Sequence, residues 1–137
     1  MDNNSIVAGF DEGEDEKLKV ELEILGISAA CLLIRLSGYV DTYNATGFQR
    51  RVNKAIDAGY VRIIFDLSSL SYVSSTGINS FIAFLRSTQQ KGGDIVLLGI
   101  QTEVCGVFDV LGFTAFFKMA TSLPGALSQL SLPPLPL

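Results

Sequence analysis

The feature that most restricts how this chain can fold is a change of hydrophobic period that recurs along it. Residues 17–24 alternate, with Leu18, Val20, Leu22 and Ile24 on one side and Lys19, Glu21 and Glu23 on the other. That pattern predicts a half-buried strand with one wet face. Residues 30–36 are nearly all apolar and predict a more central strand, with Gly26 marking the hairpin turn between the two. From Thr42 the apolar residues Ala45, Phe48, Val52, Ala55 and Ile56 recur at helical spacing while Arg50, Arg51, Asn53 and Lys54 face water, and Gly59 ends the helix. Residues 61–65, apolar except for Arg62, and residues 95–98 form apolar runs, as expected of strands covered on both faces. Between them Ile78, Phe81, Ile82 and Leu85 form the stripe of a second helix, stopped by Gly92-Gly93. Thr102 is placed to cap a third helix through Val104, Val107, Phe108 and Leu111. Residues 116–119 predict a short last strand, and Ser122 with Pro124 opens a final helix. This alternation requires right-handed crossovers and a mixed α/β sheet whose central strands are parallel.

A chain of 137 residues suffices for one domain with a real core, and 48% hydrophobic residues with only 9% aromatics suit aliphatic strands. The net charge of −4 is unevenly placed. Asp2, Asp11, Glu12, Glu14, Asp15 and Glu16 all precede Lys17, leaving eight acids against ten bases in the rest. A leader so acidic has little apolar surface to offset its ordering entropy, so residues 1–16 are expected to be disordered, with the domain at 17–130. The tail, residues 131–137, cannot continue a helix; it carries a PxxP spacing at Pro133 and Pro136 and is expected to be an unstructured end rather than a docking segment. Bases are scattered, with Arg50-Arg51 the one adjacent pair, so no nucleic-acid partner is expected. No apolar stretch approaches membrane length and the chain starts acidic where a secretory signal is basic, so no membrane partner and a cytoplasmic location are expected. Cys31 and Cys105 lie far apart among apolar neighbours and are expected to be reduced, buried thiols.

Much chemistry is excluded by what the sequence lacks. With no histidine, no Ser-His-Asp or Cys-His nucleophile can be built, and a metal site is poorly served by two isolated cysteines. Neither of the common glycine-rich phosphate-binding loops is present. No cofactor, metal or catalytic residue is therefore expected. One segment is unusual for a bland domain, the run Ser68-Ser69-Leu70-Ser71-Tyr72-Val73-Ser74-Ser75-Thr76-Gly77, read as lying after a buried strand and opening a helix. Capping of the helix explains one of the hydroxyls of Ser74, Ser75 and Thr76 well, but not three. A helix N-terminus also favours negative charge, so a phosphoryl group would be tolerated there. Residue chemistry leaves cap and phosphosite equally open. The segment Leu36-Ser37-Gly38-Tyr39-Val40-Asp41-Thr42-Tyr43-Asn44 opens the first helix in the same manner, with Asp41 or Thr42 as candidate cap. If both helices lie on one face of the sheet, their N-termini form one surface.

The chain resembles the STAS family, and within it the bacterial anti-sigma factor antagonists. The resemblance rests on Leu36-Ser37-Gly38-Tyr39-Val40-Asp41, Ile63-Ile64-Phe65-Asp66-Leu67, Leu70-Ser71-Tyr72-Val73-Ser74-Ser75-Thr76-Gly77, Gly92-Gly93-Asp94-Ile95-Val96-Leu97 and Val107-Phe108-Asp109-Val110-Leu111-Gly112-Phe113, in the family's order across residues 18–129. It implies a four- or five-stranded mixed sheet with its helices packed on one side, and a binding protein rather than an enzyme. It also implies partner switching: the unphosphorylated antagonist binds an anti-sigma factor that is also a serine kinase, phosphorylation releases it, and a serine phosphatase restores it. The family motif Asp-Ser-Ser/Thr-Gly places the acceptor at Ser75, with Thr76 as secondary candidate, and the partner surface at Asp41, Thr42, Ser74, Ser75, Thr76 and Gly77. Ser74 stands where the motif has Asp. That departure supports the alternative of a constitutive interaction module on the same fold.

Overall fold

In the computed structural model, which describes residues 3–11, 15–26 and 31–130, the strands β1 (Leu18–Leu25), β2 (Cys31–Val40), β3 (Arg62–Val73), β4 (Asp94–Leu98) and β5 (Lys118–Ala120) form one sheet in the order of the sequence. β1 and β2 are antiparallel; β2 to β5 run parallel, each joined to the next by a crossover. The helices are α1 (Ala45–Asp57), α2 (Ser75–Gln90), α3 (Thr102–Val110) and α4 (Leu123–Gln129). Successive side chains on a strand point to opposite faces. Leu32, Ile34, Leu36, Ile63, Phe65, Leu67, Ile95 and Leu97 thus meet α1, α2 and α3 in one core. At its centre Phe48, Phe65, Phe81 and Phe84 pack ring against ring at 5.1–6.0 Å. Leu25, Cys31, Leu33, Ile64 and Val96 point the other way, beneath Ala126, Leu127 and Leu130. Helices on one side therefore describes α1 to α3, while α4 covers the reverse face. The apolar stretches 63–65 of β3 and 95–98 of β4 need such a cover.

The strands extend further than the pattern indicated. β3 does not stop at residue 65 but continues to Val73, with Leu67, Leu70 and Val73 buried, so most of the serine-rich run is strand rather than loop. Its register against β2 shifts between Arg35 and Ser37 and again between Gly38 and Tyr39. Gly38 has φ +109°, and a Cβ there would meet the Lys17 carbonyl oxygen, so glycine is required where the edge strand crosses the bulge. α3 begins after Gln101 with no side-chain cap, so Thr102 is not its cap, whereas Ser122 accepts a hydrogen bond from Gly125 N as expected for α4.

Residues 3–11 correct the expectation of a disordered leader. A 3-10 turn at Asn3–Ile6 lies along the free edge of β1. There the Asn4 amide donates to the Val20 carbonyl (2.7 Å) and accepts from Leu22 N (2.8 Å), bonds that a neighbouring strand would otherwise make. Val7 and Phe10 are buried in the main core. Arg51, expected to face water, is 3% exposed. Its guanidinium donates to the Phe10 carbonyl (2.9 Å) and to Asp11 (3.0 Å), and lies 4.8 Å from the centre of the Phe10 ring. Lys54 donates to the Gly9 carbonyl. Ile6, Val7, Ala8 and Phe10 make too short a run to show a period, which is why the pattern missed the segment. Residues 1–2, 12–14, 27–30 and 131–137, which include parts of the expected leader, the hairpin turn and the tail, lie outside the described residues.

Removing a buried Phe ring typically costs about 3–5 kcal/mol. At roughly 2–4 °C per kcal/mol, Phe10→Ala is expected to lower the thermal midpoint by about 10 °C. A midpoint within about 2 °C of the parent would show that the segment is not packed. The thiols differ as well. Burial pushes the Cys31 thiol up to about 11, with the Arg62 charge opposing, while Cys105 is partly exposed. Because the thiolate is the nucleophile, alkylation at pH 8 is expected to modify Cys105 first and Cys31 only on unfolding. Equal rates in the native protein would contradict the burial.

Candidate functional site

The site forms where β2 and β3 end together. Val40 is the register partner of Val73, and Ser74 N donates to the Val40 carbonyl at 2.8 Å. Both strands then turn into helices on the same face. α1 and α2 lie side by side through Phe48 against Phe81 and Phe84, and Ser80 Oγ donates to Gln49 Oε1 at 3.4 Å. A Cβ at Gly77 would stand 2.7 Å from Val73 Cγ2 and 2.8 Å from Val40 Cγ1, so the first turn of α2 rests directly on both strand ends because this residue has no side chain. The two N-termini therefore form one surface.

The hydroxyls divide their roles. Ser74 is the N-cap of α2, in extended backbone, and its Oγ accepts from Gly77 N at 3.1 Å. Ser75 and Thr76 follow in the first turn, exposed, and neither hydroxyl makes a hydrogen bond among the described residues. One hydroxyl is thus structural and two are free. Serine and aspartate cap helices about equally well, so Ser74 performs the backbone role that the motif's Asp would perform.

The loop before α1 works differently from the expectation. Neither Asp41 nor Thr42 is the N-cap; Asn44 holds that position. Asp41 Oδ1 accepts from Tyr43 N and Asn44 N, both at 2.8 Å. Asn44 Oδ1 accepts from Asp41 N, and its Nδ2 donates to the Tyr39 carbonyl. This reciprocal clasp fixes the loop and turns Thr42 and Tyr43 outward. Asp41 is half-buried, with one oxygen committed to the loop, so it shapes the surface at least as much as it lines it. Sequence reasoning missed two residues. Tyr43, in the loop before α1, is 91% exposed, and Tyr72, near the end of β3, 51%. Large apolar groups held in water were the available signal, but exposure cannot be read from a loop and a strand end that lack a clear period. Pattern alone had no basis for singling them out.

The chemistry of the surface is limited. No base lies within hydrogen-bond reach of the Ser75 hydroxyl among the described residues, and no group of His, Cys, Asp or Glu there is arranged to hold a metal ion. Ser75 can accept a group that another protein transfers to it, but nothing activates it as a nucleophile on its own.

The STAS domain family profile matches residues 21–126. A protein of Bordetella bronchiseptica, provisionally named anti-sigma factor antagonist BtrV, is 31% identical over 104 residues, 76% of this chain and 86% of that protein. The anti-sigma-B factor antagonist of Listeria monocytogenes is 25% identical over 106 residues, covering 74% and 90%. Among solved structures, the anti-sigma factor antagonist SpoIIAA in its unphosphorylated form superposes with a TM-score of 0.70 at 22% identity, over 84% of this chain and 99% of that one. The phosphorylated form of SpoIIAA from Bacillus gives 0.59 at 24% identity, over 76% and 93%. These structural likenesses establish the shared fold.

Two substitutions separate the hydroxyls. Ser74→Ala is expected to destabilise by about 1 kcal/mol through loss of the cap, whereas Ser75→Ala stays within about 0.5 kcal/mol. Denaturant titration checks both; an equal loss for the two would refute the division of roles.

Proposed function

The chain belongs to the STAS domain family, and we propose that it is an anti-sigma factor antagonist that works by partner switching, with Ser75 as the switch. The observation that carries this reading is the free, exposed Ser75 hydroxyl in the first turn of α2, beside a cap that already satisfies the helix. The names of the relatives support it, as does the existence of SpoIIAA in both unphosphorylated and phosphorylated forms. On this reading the protein acts by binding and performs no catalysis. Its partner is an anti-sigma factor with serine kinase activity, which transfers the γ-phosphoryl group of ATP to Ser75 Oγ and leaves ADP. A serine phosphatase hydrolyses the phosphoester. Among the described residues no helix is long and apolar enough to cross a membrane; a cytoplasmic location is part of the proposal.

The physics of the turn suits a reversible switch. A phosphate at the start of a helix is favoured by the free N–H groups and the macrodipole, so the fold should persist. The interface nevertheless acquires about −1.5 to −2 charges. Set against a desolvated partner surface, such a charge costs several kcal/mol, and each ~1.4 kcal/mol is tenfold in affinity. Thr42, Ser75 and Thr76 form the contact, with Thr76 the secondary acceptor, the buried Ser74 and Gly77 setting the turn and Asp41 holding the loop in register. Tyr43 and Tyr72 supply the rigid aromatic anchors that dominate many interfaces.

Calorimetry with the cognate anti-sigma factor tests the reading. Ser75→Ala is expected to bind like the parent and to gain no phosphate on incubation with kinase and ATP. Ser75→Glu is expected to bind at least tenfold more weakly, and Tyr43→Ala or Tyr72→Ala to lose more than about 1 kcal/mol. Equal affinity for the Ala and Glu variants would remove Ser75 from the interface. An unmodified intact mass of the parent after long incubation would favour the constitutive module.

A further inference from the structure

The outward face of α3 is apolar, and the proposed partner surface does not use it. Val104 and Phe108 point into the core. Gly106, two residues from each, therefore lies on the opposite side of the helix, with Glu103 and Val110. Val110 is 87% exposed, Leu111 41% and, beyond the helix, Phe116 64%. These are three of the five large apolar side chains left exposed among the described residues, and clustering of that kind marks a docking surface where single residues would not. Phe113 and Phe116, with rings 6.3 Å apart, carry the patch into a cavity of about 600 Å³ that Ile82 and Arg86 of α2 also line.

Two details point to the occupant. The first is Gly106. Glycine is among the poorest residues for a helix interior. Gly77 has to be glycine because its neighbours leave no room, but a Cβ at Gly106 would meet nothing within 4 Å. The fold itself has no use for that glycine; a second helix crossing α3 does, since two backbones approach closely where a side chain is missing. The second detail is charge. Glu103 lies in the first turn of α3, and Arg86 stands beside the segment that follows its last turn. Both are exposed, and neither side chain has a hydrogen-bond or ion-pair partner among the described residues. Asp109, on the flank of the helix, is engaged by Thr114. We propose that this face pairs with the same face of a second copy of the chain, the two α3 helices crossing antiparallel at Gly106 about a two-fold axis. The start of one α3 then lies against the end of the other. Each Glu103 meets the Arg86 of the other copy, on either side of a centre made by Val107, Val110, Leu111 and Phe116. A two-fold contact requires a surface complementary to itself, and an apolar strip with an acid at one end and a base at the other meets that requirement. A standard interface takes about 800 Å² from each partner. One short helix and two rings supply less, so the dimer is a weak one, populated at high protein concentration.

Sedimentation velocity on the full chain reads this directly. In a dilution series starting at about 1 mM the parent is expected to pass from mostly dimer to monomer, as mass action requires. Gly106→Gln is expected to abolish the dimer while its thermal midpoint, measured dilute, stays no lower than that of the parent. Glu103→Arg and Arg86→Glu are each expected to weaken association by roughly tenfold or more, and the two together to restore it. A parent that is monomeric throughout would overturn the proposal, the patch then being covered by this chain itself or by a different protein. Dimerisation that survives Gly106→Gln, or a double charge variant no better than the single ones, would overturn it as well, because the copies would then meet elsewhere. None of these readouts involves Ser75 or the anti-sigma factor, so their failure is distinct from failure of the switching proposal.

Discussion

The first turn of α2 sits so close to the ends of β2 and β3 that only glycine fits at position 77. Val73 and Val40 occupy the space a Cβ would need, and Ser74 N is bonded to the Val40 carbonyl. From this contact the layout of the site follows. α2 must start where the two central strands stop, its cap must be short enough to fold back onto Gly77 N, and the next two residues are left on the outside. The same contact holds α2 at the height where Phe81 and Phe84 close over Phe48 and Phe65. A rigid core and an exposed serine thus come from a single steric requirement.

That serine is free because its neighbour does the structural work. Helix termini leave backbone N–H groups without partners, and had Ser75 been the cap, its modification would have threatened the helix. With Ser74 capping, a phosphate on Ser75 would add charge at the place where the helix dipole receives it best. The aspartate-to-serine departure from the family motif therefore keeps the backbone geometry and removes one negative charge from the surface. The clasp between Asp41 and Asn44 is the corresponding device on the neighbouring loop. It pins the backbone through Asp41 Oδ1 and both polar atoms of the Asn44 amide, so the residues that reach outward are Thr42 and Tyr43.

The β1 edge of the sheet is managed by the segment that precedes it. Asn4 completes the hydrogen bonds of β1, while Phe10 and Asp11 engage Arg51 on α1. An arginine so buried, its charge met by a carboxylate, a carbonyl and an aromatic face, holds the segment in one orientation. The acidic composition of the segment concealed this, since one acid of the cluster is a structural partner.

Hydrophobic period alone determined the order of strands and helices, the mixed sheet, the apolar runs that demand cover on both faces, and the helix N-terminus rich in hydroxyls, because alternation and 3.6-residue spacing are properties of the chain itself. The motif pieces singled out Ser75 and Gly77. Tertiary structure alone decided that α4 supplies the reverse cover, that β3 runs on through its serines, that Ser74 and not Ser75 caps, that Arg51 is buried, and that Tyr43 and Tyr72 are exposed. Each of these depends on which distant groups meet: a serine run is strand when Leu67, Leu70 and Val73 find a core, and an arginine leaves water when a carbonyl, a carboxylate and a ring from some forty residues away are there to receive it. Local sequence sets the preference of a segment, and burial among remote partners sets its environment.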